Sequence, residues 1–262
     1  MKITLFTSNS NRHNYFINLL SKVSKELFVI QECSTIFPGI MPGNYPISKI
    51  MVKYFKKVND AQLKLFGNSY INNNKKNIKL LTMQIGDLNK CSLKLLSDFL
   101  NSDIYIIFGS SYIKGKLLNF LIKKKAINIH MGVSPFYRGT DCNFWAIYDN
   151  NPHLVGSTIH LLTKGLDSGP ILYHAMSNIK KNTFEYTMST VKSAFHSIIK
   201  RINDRSIFKI KPEKQNKFKE IRYSKKIEFS EAILKKFFKK KISLQTKKIN
   251  YSMLKNPFLL NE

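Results

Sequence analysis

The sequence predicts an α/β fold, a mostly parallel sheet with helices on both faces, followed by a small C-terminal extension. Three observations predict it. Short apolar runs alternate with longer stretches of helical apolar spacing, the pattern of βαβ units. The stretches between runs are long enough to return each strand parallel to the last. Finally, the 262 residues are 43% hydrophobic and 12% aromatic, which is enough for one sizeable core and too apolar for a disordered chain.

Each element follows in order. Residues 3–7 form a buried strand, after which Tyr15, Phe16, Leu19, Leu20 and Val23 fall at helical spacing. Residues 27–31 give a second strand. Residues 38–50 hold three prolines and two glycines and are assigned to a loop. A helix is expected over 52–66, with Phe55, Val58, Leu63 and Phe66 near one side, then a polar loop over 68–77 and a strand over 78–83. The insertion over 38–75 is either a substrate lid or a surface excursion. Further on, a helix is expected over 91–100, a strand over 104–108, a helix over 115–122 and a strand over 126–131. After Pro170 the pattern changes to a strand over 171–176 and a long helix over 184–202. The main domain is therefore placed at 1–203 and the extension at 204–262. Within the extension, residues 231–241 read as a helix docked by Ile233, Leu234, Phe237 and Phe238, with a solvated lysine face.

The charge excludes less than its size suggests. Lys and Arg number 43 against 16 Asp and Glu, a formal net charge of +27. An anionic partner is the first inference. Only five of the cations are arginine, however, and base-specific readout relies on the arginine fork. The 38 lysines come with 25 Asn and 31 Ile, residues that share A/T-rich codons. Base composition plus an anionic small-molecule substrate is thus preferred over nucleic acid. No run of 18 uncharged apolar residues is present, so no membrane span is expected. Cys33, Cys91 and Cys142 form no CxxC pair, which favours free thiols and a cytoplasmic setting.

Two segments carry chemistry. In Ala126-Ile127-Asn128-Ile129-His130-Met131-Gly132, the alternation of a strand puts Asn128 and His130 on one face at its carboxyl end. Parallel sheets bind ligands at that end. An amide that stabilises an oxyanion beside an imidazole that moves protons suits acyl-type transfer. The same pattern also fits a strand-end cap and a core histidine, and spacing alone does not separate them. In Gly165-Leu166-Asp167-Ser168-Gly169, Asp167 sits in a tight loop from which a carboxylate reaches a neighbouring strand end; alone this is an ordinary turn. The other histidines (His13, His153, His160, His174 and His196) show no ligand spacing with one another or with Cys142, so no metal is expected.

Taken together, the segments resemble the formyltransferase family that uses 10-formyltetrahydrofolate. Asn128-x-His130, the Ser134-Pro135-x-x-Arg138-Gly139 loop, the aromatic helix at Asn143-Phe144-Trp145, Gly156-x-Thr158-x-His160 and Gly165-Leu166-Asp167-x-Gly169 occur in the family's order. The resemblance is carried by residues 104–172; over 1–100 the order of elements agrees more than the residues do. It implies a Rossmann-like domain, with Asn128, His130 and Asp167 catalytic. It also implies 10-formyltetrahydrofolate as donor, held by Phe108, Gly109, Ser110, Ser111, Tyr112 and Ile113 and by Leu162, Gly165 and Leu166 of the later loop. An amine attacks the formyl carbon; Asn128 and a protonated His130 hold the oxyanion, and Asp167 favours the imidazolium.

Three branches of that family differ in the amine. The methionyl-tRNA enzymes carry a larger C-terminal β-barrel, and only about 60 residues follow the long helix here. The glycinamide ribonucleotide enzymes have a glycine-rich loop after the first strand, where this sequence has Thr7-Ser8-Asn9-Ser10-Asn11-Arg12. Length favours the third branch, the sugar-nucleotide N-formyltransferases. The implied acceptor is then a dTDP- or GDP-linked 4-amino-4,6-dideoxyhexose used for surface polysaccharide such as lipopolysaccharide O-antigen. Ser10, Asn11 and Arg12 either meet its phosphates at the helix start or simply cap that helix. Arg138 either contacts substrate or braces its loop. A homodimer formed through the extension fits this reading. The alternatives are a hydrolase of the folate and a non-catalytic RNA-binding protein on the same fold.

Overall fold

The computed structural model describes residues 1–34, 48–72, 75–244 and 248–260. The expected loop over 38–50 lies outside the described residues as far as 47. The first half of the chain runs β1 (Lys2–Thr7), α1 (Asn11–Val23), β2 (Glu26–Cys33), α2 (Lys49–Phe66), β3 (Ile78–Gln84), β4 (Ile104–Phe108), α3 (Gly115–Lys123) and β5 (Ile127–His130). Then come β6 (Tyr137–Gly139), α4 (Cys142–Tyr148), β7 (Ser157–Leu161), β8 (Ile171–Ser177), α5 (Thr183–Asn203), β9 (Arg222–Ser224), α6 (Glu231–Lys239) and β10 (Phe258–Leu260).

Eight strands make one sheet in the order β10-β8-β7-β5-β4-β1-β2-β3. The pairs from β3 through β5 are parallel, β7 runs antiparallel to both β5 and β8, and β10 adds a parallel edge to β8. The sheet is Rossmann-like and mostly parallel. Its central strands β1, β2 and β4 are buried on both sides, their successive side chains pointing to opposite covered faces. Ile3, Leu5, Ile106 and Phe108 meet α1, α2 and α5 on one face, while Phe6, Tyr105 and Ile107 meet α3 on the other. A further apolar cluster joins α4 and α6 through Phe144, Trp145, Phe229, Leu234 and Phe237.

Residues beyond 203 are woven into these layers. β9 pairs with β6, α6 packs on α2 and the α4 cluster, and β10 extends the main sheet.

One expected element differs. Instead of a helix over 91–100, the chain makes two 3-10 turns, Asp87–Lys90 and Ser97–Phe99. Ser92 Oγ accepts the Leu95 N–H at 3.1 Å as an N-cap, but the bonds that follow, Ser97 N to Lys94 O and Phe99 N to Leu96 O, span three residues rather than four, so the turn tightens to 3-10 instead of continuing as an α-helix. Leu88, Leu96 and Leu100 still reach the core from these turns.

Candidate active site

β5 ends at His130 between β4 and β7. Its alternation turns Asn128 and His130 to one side, and the antiparallel register sets Asn128 opposite His160 of β7. Asn128 Nδ2 donates to His160 Nε2 at 3.0 Å, and His160 Nδ1 donates to the Leu161 carbonyl at 2.9 Å. Asp167 comes in from the loop between β7 and β8. Its Oδ2 lies 3.3 Å from His130 Nδ1, and its Oδ1 lies 3.5 Å from Asn128 Nδ2 and 3.8 Å from His160 Nε2. Two segments nearly 40 residues apart in sequence thus converge on one carboxylate.

The loops that allow this have little freedom. Asp167 itself adopts a left-handed φ of 46°. The Gly139 N–H donates to its carboxylate. Gly139 has a φ of 94°, and a Cβ there would stand 2.0 Å from the Ser224 carbonyl. Only glycine brings that N–H so close.

Burial lowers the pKa of His130 below that of ordinary histidine, and the attraction of Asp167 recovers only part of the loss. The resting imidazole is therefore neutral at pH 7, and the protonated His130 expected at the oxyanion stage has to gain its proton during the reaction. Burial pushes Asp167 the other way, but His130, His160 and the Gly139 N–H together hold it below the usual carboxylate range. The carboxylate is charged and waits beside a neutral base.

Two adjoining cavities of about 370 and 410 Å³ open at the carboxyl ends of β1, β4 and β5. Their shared wall includes His130, Met131, Gly139, Arg12 and His13. The first is lined by Phe108, Gly109, Ser110, Ser111, Tyr112 and Ile113 together with Leu162, Gly165 and Leu166, and it reaches Asn128 and Asp167. The second is lined by Ser8, Ser10, Tyr54, Phe55, Asn143 and Phe144 among others.

Residues 97–202 match the family model described as formyl transferase. Over that span the chain is similar to the formyl transferase family. A methionyl-tRNA formyltransferase of Clostridium tetani is 30% identical over 143 residues, 54% of this chain and 46% of that protein. The chain spans less than half the length of the curated relatives it matches. Among solved structures, a 4-N formyltransferase from Francisella tularensis superposes with a TM-score of 0.51 at 20% identity, over 86% of this chain and 76% of that one. An N-formyltransferase from Helicobacter canadensis, in complex with folinic acid and dTDP-3-aminofucose, superposes with a TM-score of 0.53 at 15% identity, over 88% and 73%. These likenesses carry the fold.

The other expected site residues separate. Ser10 and Arg12 line the second cavity, whereas Asn11 lines neither. Arg138 also lines neither: its Nη1 pairs with Glu220 Oε2 at 2.8 Å and its Nη2 donates to the Leu166 carbonyl at 3.1 Å. These contacts brace its loop. Three participants had no assigned role in the sequence. His160 was legible only as part of a strand motif, because its partner depends on cross-strand register. His13 caps α1, with its Nδ1 2.7 Å from Ser10 Oγ, and its buried Nε2 has no hydrogen-bond partner among the described residues. Glu32, fully buried at the end of β2, accepts from Ser111 N at 2.6 Å, Ser111 Oγ at 2.8 Å and Gly86 N at 2.8 Å, which fixes the loop after β4.

Proposed function

We propose that the protein is an N-formyltransferase that moves the formyl group of 10-formyltetrahydrofolate to the amine of a nucleotide-linked amino sugar, such as a dTDP- or GDP-bound 4-amino-4,6-dideoxyhexose, for surface polysaccharide. The observation that carries this reading is the junction of two cavities at His130, the first of which also reaches Asn128 and Asp167. A substrate in each cavity would meet the other at that imidazole, beside the amide and the carboxylate. The first cavity fits a flat, partly apolar donor: Phe108, Ile113, Leu162 and Leu166 supply apolar contact, and loop backbone supplies polar edges. The second fits an anion. Arg12, in the wall that cavity shares with the first, has its Nε buried without a hydrogen-bond partner among the described residues, and burial lowers the guanidinium pKa only to about 10, so it stays charged at pH 7. A phosphate of the acceptor would relieve it.

Bound folate would supply an activated formyl group; the rest is done by this chain. Asn128 holds one amide proton on His160, while the other sits at 3.5 Å from Asp167, long enough to be handed to a developing oxyanion. His130 Nε2 lies 3.2 Å from the Tyr137 carbonyl, a contact that places its proton there. Nδ1 is then the basic nitrogen: it takes the proton of the attacking amine, paired with Asp167 Oδ2, and gives it to the departing folate nitrogen as the bond from that nitrogen to the formyl carbon breaks. The Helicobacter canadensis structure, which holds folinic acid and dTDP-3-aminofucose, is in keeping with this pair of ligands.

The test is incubation with 10-formyltetrahydrofolate and a panel of nucleotide-linked amino sugars, with glycinamide ribonucleotide and methionyl-tRNA as further acceptors. Methionyl-tRNA belongs there because of the curated relatives. A formyl mass gain on an amino sugar that is lost in His130→Ala supports the proposal. A gain on methionyl-tRNA or glycinamide ribonucleotide alone moves the acceptor, and an intact folate with every acceptor refutes transfer. The same reading has the enzyme acting in the cytoplasm as a homodimer paired through the extension, where Phe218, Ile221 and Ile227 are exposed; light scattering that returns a monomer mass at working concentration would remove the pairing.

A further inference from the structure

We infer that residues 213–224 of the extension clamp the loop that carries Asp167, with Gln215 as its positioning residue. The inference rests on the proposed role of Asp167. Gln215 Nε2 donates to two carbonyls of that loop, Asp167 O and Gly169 O, each at 2.8 Å. These carbonyls flank the peptide units about which the Asp167 side chain swings. The loop needs an outside hold, because Asp167 adopts a left-handed conformation that a non-glycine residue disfavours.

Neighbouring contacts of the extension act in the same direction. Glu213 exchanges both backbone hydrogen bonds with Ile171, at 2.7 and 2.9 Å, just past the loop. Glu220 fixes Arg138, which holds the Leu166 carbonyl. β9 lies along β6 and so fixes Gly139, whose N–H reaches the Asp167 carboxylate. Apart from the Ile171 pair, the loop groups held (the Leu166, Asp167 and Gly169 carbonyls and the Asp167 carboxylate) lie within two residues of Asp167. The Asn128 contact of Asp167, at 3.5 Å, is at the long end of hydrogen bonding, and the ion pair that forms when His130 Nδ1 is protonated starts from 3.3 Å, so a shift of a few tenths of an ångström weakens both.

The clamp is tested with Gln215→Leu, which removes both donors, and Gln215→Glu, which keeps the shape and sets acceptor against acceptor. Gln215 is only partly buried, so both variants should fold. Formyl transfer should lose about tenfold to a hundredfold in kcat with KM for the folate unchanged. In an Asp167→Asn background Gln215→Leu should cost nothing more. Independently of turnover, the His130 ring titration followed by NMR should move downward in both variants, as it does in Asp167→Asn, because Asp167 is what raises it. A merely structural role predicts an additive loss in the double variant and an unmoved or upward His130 titration; either result overturns the clamp. Should the wild type transfer no formyl group to any acceptor, the functional reading fails, while the His130 titration still decides the clamp.

Discussion

His130 is poised by two opposed effects, and their balance sets a pH dependence. Burial lowers its pKa and Asp167 partly restores it, so the neutral base is lost only below the ordinary histidine value of about 6.5. The acid limb of kcat/KM is accordingly expected below pH 6.5. Asp167→Asn keeps the shape and deletes the charge; it should move that limb further down and lower kcat by about a hundredfold or more. An acid limb above 6.5 would mean that a different group is the base. Gly132 shows how tightly the ring is held, since a Cβ there would meet His130 Nε2 at 2.6 Å and Cys142 Cβ at 2.5 Å. At this scale the sequence singled out Asn128, His130 and Asp167 through the order of motifs that resemble the formyltransferase family, since spacing alone did not separate them from a cap, a core histidine and a turn; the structure brings the three together. The sequence could not reveal His160, Glu32 or Gln215 as their supports, because each reaches its partner across 30 or more residues.

Among the elements, α5 ties the core to the first cavity. Its Phe195 stacks on Phe16 of α1 at 4.3 Å and 10°, and meets Phe108 edge-on at 5.0 Å. Phe108 is the last residue of β4 and the first of the loop that lines that cavity. Phe195→Ala should therefore cost about 3–5 kcal/mol, the usual figure for removing a fully buried aromatic ring, and should also weaken folate binding. Urea unfolding and a fluorescence titration of folate check the two halves. A loss under about 1 kcal/mol would show that the ring's site collapses without consequence. The strands and long helices were legible because their periods persist for several residues; the expected strand over 104–108 and helix over 184–202 stand as β4 and α5. β9 and β10 were not, since three residues are too few for a period and only a partner strand defines them. The turns over 87–99 show the converse, a helical apolar spacing satisfied by shorter structure.

For the whole molecule, three buried histidines and a large positive charge act together as pH falls. Burial lowers the pKa of His13, His130 and His174 in the folded chain. Below about pH 6.5 the unfolded chain takes up protons at these positions while the folded chain does not. Their contribution to stability is thus intact above 6.5 and declines as pH drops toward the folded values. With all three titrating only in the unfolded chain, the slope reaches about 4 kcal/mol per pH unit. The net charge of +27 adds self-repulsion in the same direction, but salt screens that part and leaves the burial of the histidines untouched. Thermal unfolding between pH 7.5 and 5.5, at low and high salt, separates them. A midpoint that falls below pH 6.5 at both salt concentrations identifies the buried histidines as the cause, because repulsion among surface lysines would be relieved by salt and would show no inflection at the histidine pKa. A fall that high salt abolishes would assign the acid lability to the lysine-rich surface instead.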